Sequence, residues 1–228
     1  MKKEQSSLVK YLKKFVLDER KDLFNTKIQE RTKYITIVLE NIFQGRNISA
    51  SIRSADCFGI QDVHVIENDN IFNNDPEVSM GAEKWITTKR HNTYKENSTR
   101  AIKYLRNKGY KIIATTPHNA DSNLYDLDIK KGKIALFFGS EVNGCSKETL
   151  KLSDQKIKIP MYGFTESYNI SVAVSLSLQH LTYKMRKSNI DWKLKKNQQE
   201  RVMLQWLRNS IKSSKKIEEQ FLDRFNKK

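Results

Sequence analysis

The sequence predicts an α/β domain with a largely parallel sheet. Three observations carry this: β-branched apolar runs recur between residues 34 and 161, helix-like segments lie between them, and the two kinds alternate along the chain. Tyr34 to Asn41 (YITIVLEN) reads as a buried strand, and Asn47 to Gly59, rich in alanine and closed by glycine, as a short helix. Asp62 to Asn68 (DVHVIEN) is a second strand. Residues 68–85 crowd Asn, Asp, Pro and Gly together and read as one long loop, a kind of segment that often carries function. Asn97 to Gly109 has a helix start and a glycine stop, and Lys111 to Pro117 and Lys133 to Glu141 are strands. A short helix over Ser146 to Leu152, a strand over Lys156 to Met161 and a helix from Asn169 complete the pattern. In such a sheet the ligand lies at the carboxyl ends of the strands.

Both ends of the chain differ from this centre. Gln5 to Phe24 sets Leu8, Tyr11, Leu12, Phe15 and Val16 at helical spacing among lysines, predicting a basic amphipathic helix. Asn197 to Asn226 carries Val202, Trp206, Leu207, Ile211, Ile217, Phe221 and Phe225 near one face, predicting one or two helices outside the sheet. Residues 1–33 hold 10 Lys+Arg against 5 Asp+Glu, net +5, and residues 183–228 hold 14 against 5, net +9. The stretch between has 18 against 16, so most of the formal +16 sits at the ends. That distribution points to a polyanion, because phosphate backbones exchange counterions for Lys and Arg. The expected organisation is a basic helical extension over 1–33, a catalytic domain over 34–187 and a second basic helical extension over 188–228.

Several classes are disfavoured by composition. Cys57 and Cys145 form no CxxC pair and His64, His91, His118 and His180 are scattered, so neither a disulfide framework nor a metal site is expected. Charges interrupt the apolar positions of the N-terminal segment, and no run approaches the length of a membrane span. A cytoplasmic protein without a membrane segment is the expectation. The glycines do not form GxGxxG after the first strand, which argues against a dinucleotide-dependent oxidoreductase.

Three polar clusters end predicted strands: Asn41, Asn47, Arg53 and Asp56; Gly139, Glu141 and Gly144 in FGSEVNG; and the run IPMYGFTESYNISVA. Taken singly, each has a plain explanation, Asn47 and Asn169 as helix caps and the glycines as turn residues. Together and in this order they resemble the SPOUT superfamily of RNA methyltransferases, most closely its TrmH branch of tRNA 2′-O-ribose methyltransferases. The resemblance spans about Tyr34 to Arg186, roughly two thirds of the chain. It rests on the N-x5-N-x5-R series of Asn41, Asn47 and Arg53, on F-G-x-E-x-x-G at Phe138 to Gly144, and on I-P-M-x-G…S-x-N-x-S-V-A at Ile159 to Ala173.

The resemblance implies a deep trefoil knot formed by the Gly139 to Ala173 region, a rare feature that composition and periodicity do not suggest. It implies S-adenosylmethionine as cofactor and a homodimer whose active site uses both subunits. It assigns Thr115, Gly139, Ile159, Met161 and Tyr168 to the cofactor, mainly through backbone groups, and Asn47, Arg53, Glu141, Ser167 and Asn169 to substrate and catalysis. Methyl transfer from a sulfonium needs alignment and proton removal but no metal. The family gives the residue matching Arg53 a central role, sometimes as general base; since guanidinium stays protonated in proteins, holding a phosphate and stabilising the emerging oxyanion suits it better. Two departures stand out: Tyr168 occupies a position where the family commonly has Leu, and Gln44-Gly45-Arg46 differs from the usual Lys-Pro-His turn. Only about 30 residues precede the first strand, too few for the separate RNA-binding domain common among ribosomal RNA enzymes. The expected substrate is therefore tRNA, at the D-loop guanosine 18, with a ribosomal RNA 2′-O-methyltransferase or a non-catalytic RNA-binding protein as alternatives.

Overall fold

The computed structural model describes residues 2–226, and packing divides the chain into two compact units, residues 32–192 and residues 1–31 with 193–228. The two basic ends thus belong to one unit rather than forming separate extensions. Residues 188–192 stay with the larger unit, where the Thr32 hydroxyl donates to the Trp192 carbonyl at 2.6 Å.

In the smaller unit α1 (Lys2–Leu12) leads through a 3-10 turn at Lys13–Phe15 into α2 (Asp18–Ile28). The single helix expected over Gln5 to Phe24 is therefore broken. Val16 and Leu17 are extended, and Asp18 and Glu19 open a new helix, where acidic side chains meet the positive end of the backbone dipole.

The larger unit holds β1 (Ile35–Glu40), α3 (Gly45–Cys57), β2 (Asp62–Ile66), the single turn α4 (Pro76–Ser79), β3 (Thr87–His91), α5 (Asn97–Asn107), β4 (Tyr110–Thr115) and β5 (Ser122–Asn123). It continues with β6 (Lys133–Phe138), α6 (Lys147–Leu152), β7 (Gln155–Lys158) and α7 (Ile170–Arg186). The remaining helices, α8 (Lys196–Ser210) and α9 (Ser214–Asn226), return to the smaller unit, where Trp206 meets Phe24 at 5.4 Å between ring centroids.

All pairings in the seven-stranded sheet are parallel, in the order β3-β2-β1-β6-β4-β7-β5. Strands buried on both faces are why YITIVLEN and KIALFF read as continuous apolar runs instead of alternating ones. Ile35, Ile37 and Leu39 face one core layer, with Leu136, Phe138, Ile157, the α3 residues Ile48 and Ile52, and the α7 residues Val174 and Leu178. Val38, Ala114, Ala135 and Phe137 face the other, with Ala101, Ile102 and Leu105 of α5.

Two strands go unseen in the sequence. β3 (TTKRH) is polar because it lies at the sheet edge, and β5 has only two residues. The long loop over 68–85 contains α4, capped by Asp75 with Pro76 in its first turn. β7 starts one residue before the predicted Lys156 and ends at Lys158, ahead of the predicted Met161; Pro160 lacks the N–H that a continued ladder would need.

At the carboxyl end of β1 the buried Glu40 carboxylate accepts four hydrogen bonds. They come from the hydroxyls of Ser98 (2.5 Å), Ser146 (2.8 Å) and Thr149 (2.7 Å) and from the Ser146 backbone N–H (2.9 Å). One side chain thereby fixes the first turns of α5 and α6 against β1.

On β2 and β3, His64 Nδ1 and His91 Nε2 share a hydrogen bond of 2.9 Å. Burial pushes both imidazoles down, to about 3 for His64, helped by His91 and Lys89, and to about 4 for His91, helped by Lys89. Once unfolded, each regains its ordinary value of 6.5, so acid favours the unfolded chain. Stability is full above pH 6.5 and falls as pH drops towards 4, by about 1.4 kcal/mol per pH unit for each proton taken up. Urea midpoints measured across this range should decline, and less steeply in a His64→Gln/His91→Gln variant than in the wild type.

Candidate active site

The site grows from the turns that follow β1, β6 and β7. Asn41 ends β1 in the left-handed region (φ 54°), and its side-chain oxygen accepts from the backbone N–H of Asp69 and Asn70, both at 2.9 Å. Its amide donates to Asp69 Oδ2 at 2.8 Å, so the first asparagine of the N-x5-N-x5-R series stitches two loops together. A Cβ on Gly45 would lie 2.8 Å from the Asn73 carbonyl oxygen, which explains glycine where the chain turns into α3. Arg46 and Ser49 then hold the same loop through Asp75 and Asn74.

Asn47, buried in the first turn of α3, joins all three clusters. Its amide donates to Glu141 Oε1 at 2.7 Å, and its carbonyl oxygen accepts from Asn169 Nδ2 at 3.2 Å. Glu141 also accepts from the Phe43 backbone N–H at 3.3 Å. Asn169 caps α7, its Oδ1 accepting from the Ser171 N–H at 2.9 Å and the Ser171 hydroxyl at 2.7 Å. Residues separated by 94 and 122 positions are thus bound through one amide side chain.

Glu141 is carried by a hairpin-like return. Ser140 and Gly144 exchange backbone hydrogen bonds at 3.0 and 2.9 Å, with Gly144 at φ 65°. Gly139 is pressed so closely into this return that a Cβ would stand 1.8 Å from the Gly144 carbonyl carbon and 1.9 Å from the Cys145 nitrogen. Beneath it Cys145 is buried with its sulfur 3.5 Å from the Thr115 carbonyl oxygen, and burial raises its thiol well above the usual range. It is a packing residue.

A cavity of about 810 Å³ opens here, at the carboxyl ends of β4, β6 and β7. It is lined by Thr115, Gly139, Ile159, Met161 and Tyr168, and by Glu141, Ser167 and Asn169. Asn47 reaches this wall through its bonds to Glu141 and Asn169. Arg53 is not among the lining residues; it is exposed two turns further along α3, with no polar partner among the described residues, beside Ser54, whose hydroxyl meets that of Ser175 on α7 at 2.8 Å. The structure therefore gathers nine of the ten predicted residues and leaves Arg53 outside. Thr115 is only partly available, since its hydroxyl donates to the Phe137 carbonyl at 2.8 Å. Among the described residues no group of three His, Cys, Asp or Glu side chains could hold a metal ion, and no helix is long and apolar enough to cross a membrane.

Sequence reading missed Glu40 and Lys156. A glutamate ending an otherwise apolar strand was the visible signal for the first; Lys156 lines the cavity from β7, and no motif marks it.

A parallel α/β sheet, a tight glycine return after its central strand β6 and the hydrogen-bonded cluster of Asn47, Glu141 and Asn169 are the arrangement expected of a SPOUT-type methyltransferase. The chain belongs to the SpoU rRNA Methylase family, whose model matches residues 34–179. It is 43% identical over 207 residues to the tRNA (guanosine(18)-2′-O)-methyltransferase of Borreliella burgdorferi, covering 91% of this chain and 93% of that one. Its fold is similar to that of a TrmH/SpoU tRNA modifying enzyme of A. aeolicus, with a TM-score of 0.76 and 22% identity over 86% of this chain and 98% of that one. It is also similar to the SpoU methyltransferase AviRb of Streptomyces viridochromogenes solved with the cofactor AdoMet, with a TM-score of 0.58 and 22% identity over 72% and 62% of the two chains.

The closeness at Gly139 has a direct consequence. Gly139→Ala should cost about 3 kcal/mol or more in urea unfolding, at the upper end of overpacking penalties. Gly163→Ala, at a glycine with nothing within 4 Å and no positive φ, should stay within about 0.5 kcal/mol of wild type.

Proposed function

We propose that this protein transfers a methyl group from S-adenosylmethionine to a ribose 2′-hydroxyl of tRNA, at the D-loop guanosine 18. The observation that carries the reading is the Asn47 bridge, which sets Glu141 and Asn169 side by side on the wall of the cavity. The 43% identity to a tRNA (guanosine(18)-2′-O)-methyltransferase over nearly the whole chain supports the substrate.

The cavity's residues suit the cofactor. Phe138, Leu150, Ile159, Met161 and Ala173 offer apolar surface for a purine, and the Ser140 to Gly144 return offers backbone polar groups. Tyr168 adds an aromatic face to the wall. The cofactor supplies an activated methyl group, and the protein's share is alignment and proton handling. In this reading Asn47, held by Glu141 and Asn169, fixes the ribose, and Ser167 at the rim contacts the substrate. Arg53 binds a phosphate and stabilises the developing oxyanion.

Arg53 is outside the cavity of its own chain, and this supports a homodimer in which each site is completed by the partner's arginine. The outer face of α7 supports the same arrangement, since Val172, Leu176 and Tyr183 form an exposed apolar stripe at helical spacing. A trefoil knot over residues 139–173 belongs to the same reading, supported by β6 lying between β1 and β4 and by the backbone contact at Gly139. The helical unit of residues 1–31 and 193–228 carries 20 Lys+Arg against 9 Asp+Glu, net +11, and is the proposed grip on the tRNA backbone. The proposed compartment is the cytoplasm, where tRNA is modified.

Methylation of tRNA and ribosomal RNA in parallel, with the modified nucleotide mapped by mass spectrometry, tests the substrate; a methyl group on guanosine 18 is expected, and modification of ribosomal RNA alone would overturn it. Arg53→Ala should lower turnover roughly 100- to 1,000-fold while cofactor affinity stays near wild type. Leu176→Asp should shift the mass in solution from dimer to monomer, as read by light scattering.

A further inference from the structure

The donor assigned above carries a carboxylate at its methionyl end, and a carboxylate leaving water needs a cationic or multiply donating partner. The cavity wall is mostly apolar or neutral, and its two acidic side chains, Glu141 and Glu166, repel such a group. Lys156 is the one Lys or Arg among the lining residues.

Its position is fixed from the backbone outward. Lys156 lies in β7 opposite Ala114 of β4, while its neighbour Ile157 is buried in the core layer of the opposite face. Its N–H donates to Asp121 Oδ2 at 2.7 Å, and its carbonyl accepts from the Asp121 N–H at 2.9 Å. The ammonium, in contrast, stands 3.7 Å from Asp121 Oδ1, beyond hydrogen-bond distance, and both side chains are partly exposed. Exposed pairs of this kind contribute little, so the ammonium can change partners at small cost. The strand and Asp121 hold the backbone of Lys156, which lines the cavity wall.

We infer that Lys156 binds the carboxylate of the methionyl end of the methyl donor. This rests on the reading of the cavity as the donor site. Asp121 is a positioning residue that competes weakly for the same ammonium.

Calorimetry on the full-length protein with two probes tests this without turnover: S-adenosylhomocysteine, which has the carboxylate, and 5′-methylthioadenosine, which lacks the amino-acid end. Lys156→Met should weaken S-adenosylhomocysteine by about 10-fold, the size of one partly exposed charge-assisted hydrogen bond, and leave 5′-methylthioadenosine within about 2-fold. Lys156→Arg should recover most of the loss. Asp121→Asn, which keeps an acceptor for the Lys156 N–H but removes the competing charge, should tighten S-adenosylhomocysteine. Unchanged S-adenosylhomocysteine affinity in Lys156→Met overturns the inference, and so does an equal loss for both probes, which would make the lysine a structural residue. A wild-type protein that binds neither probe overturns the donor-site reading itself and this inference with it.

Discussion

The buried carboxylate of Glu40 is the constraint on which the site depends. It stands at the carboxyl end of β1 and binds the first residues of α5 and α6 through Ser98, Ser146 and Thr149. A buried carboxylate is costly unless its oxygens are satisfied, and four donors meet that requirement here. Ser146 follows directly on the Gly139 to Cys145 return, so the bond that satisfies Glu40 also anchors the segment carrying Glu141. Moving that segment would leave a buried carboxylate short of partners, which explains how a loop rich in small residues holds one position.

From that anchor the polar network follows in order. Glu141 reaches Asn47 and Phe43, Asn47 reaches Asn169, and Asn169 caps the helix that packs on α3. Each member spends part of its hydrogen-bonding capacity on the next, so the side chains are oriented before any ligand arrives. Preorganisation of this kind is what alignment-limited chemistry such as methyl transfer requires. Arg53 is the contrasting case, an exposed cation without a polar partner among the described residues, set apart from the cavity of its own chain.

Charge is partitioned along the same lines as packing. In the sheet-bearing unit Glu67 takes Arg90 at 2.5 Å and the Phe72 N–H at 2.6 Å and so ties the loop after β2 to the edge strand. Most of the excess of lysine and arginine lies in the helical unit. The helical unit carries a net +11 and the larger sheet-bearing unit a net +5, so the charge density is higher in the helical unit.

The α/β class, the parallel sheet and most of its strands were legible in the sequence, because strands buried on both faces are largely apolar and because α3 and α5 are closed by Gly59 and Gly109. The three polar clusters were legible as motifs, and their order was enough to name the family. What the sequence could not show was how they meet: β6 enters between β1 and β4, and Asn47 bonds to partners 94 and 122 residues away, neither of which leaves a local pattern. The edge strand β3 escaped notice because an edge needs no apolar face, and the break at Val16–Leu17 because amphipathic spacing continues through it. Glu40, Gly139 and Lys156 acquire their importance only from neighbours that the fold supplies. Local sequence fixes periodicity and turns, whereas burial, hydrogen-bond satisfaction and the approach of distant backbone are decided when the chain packs.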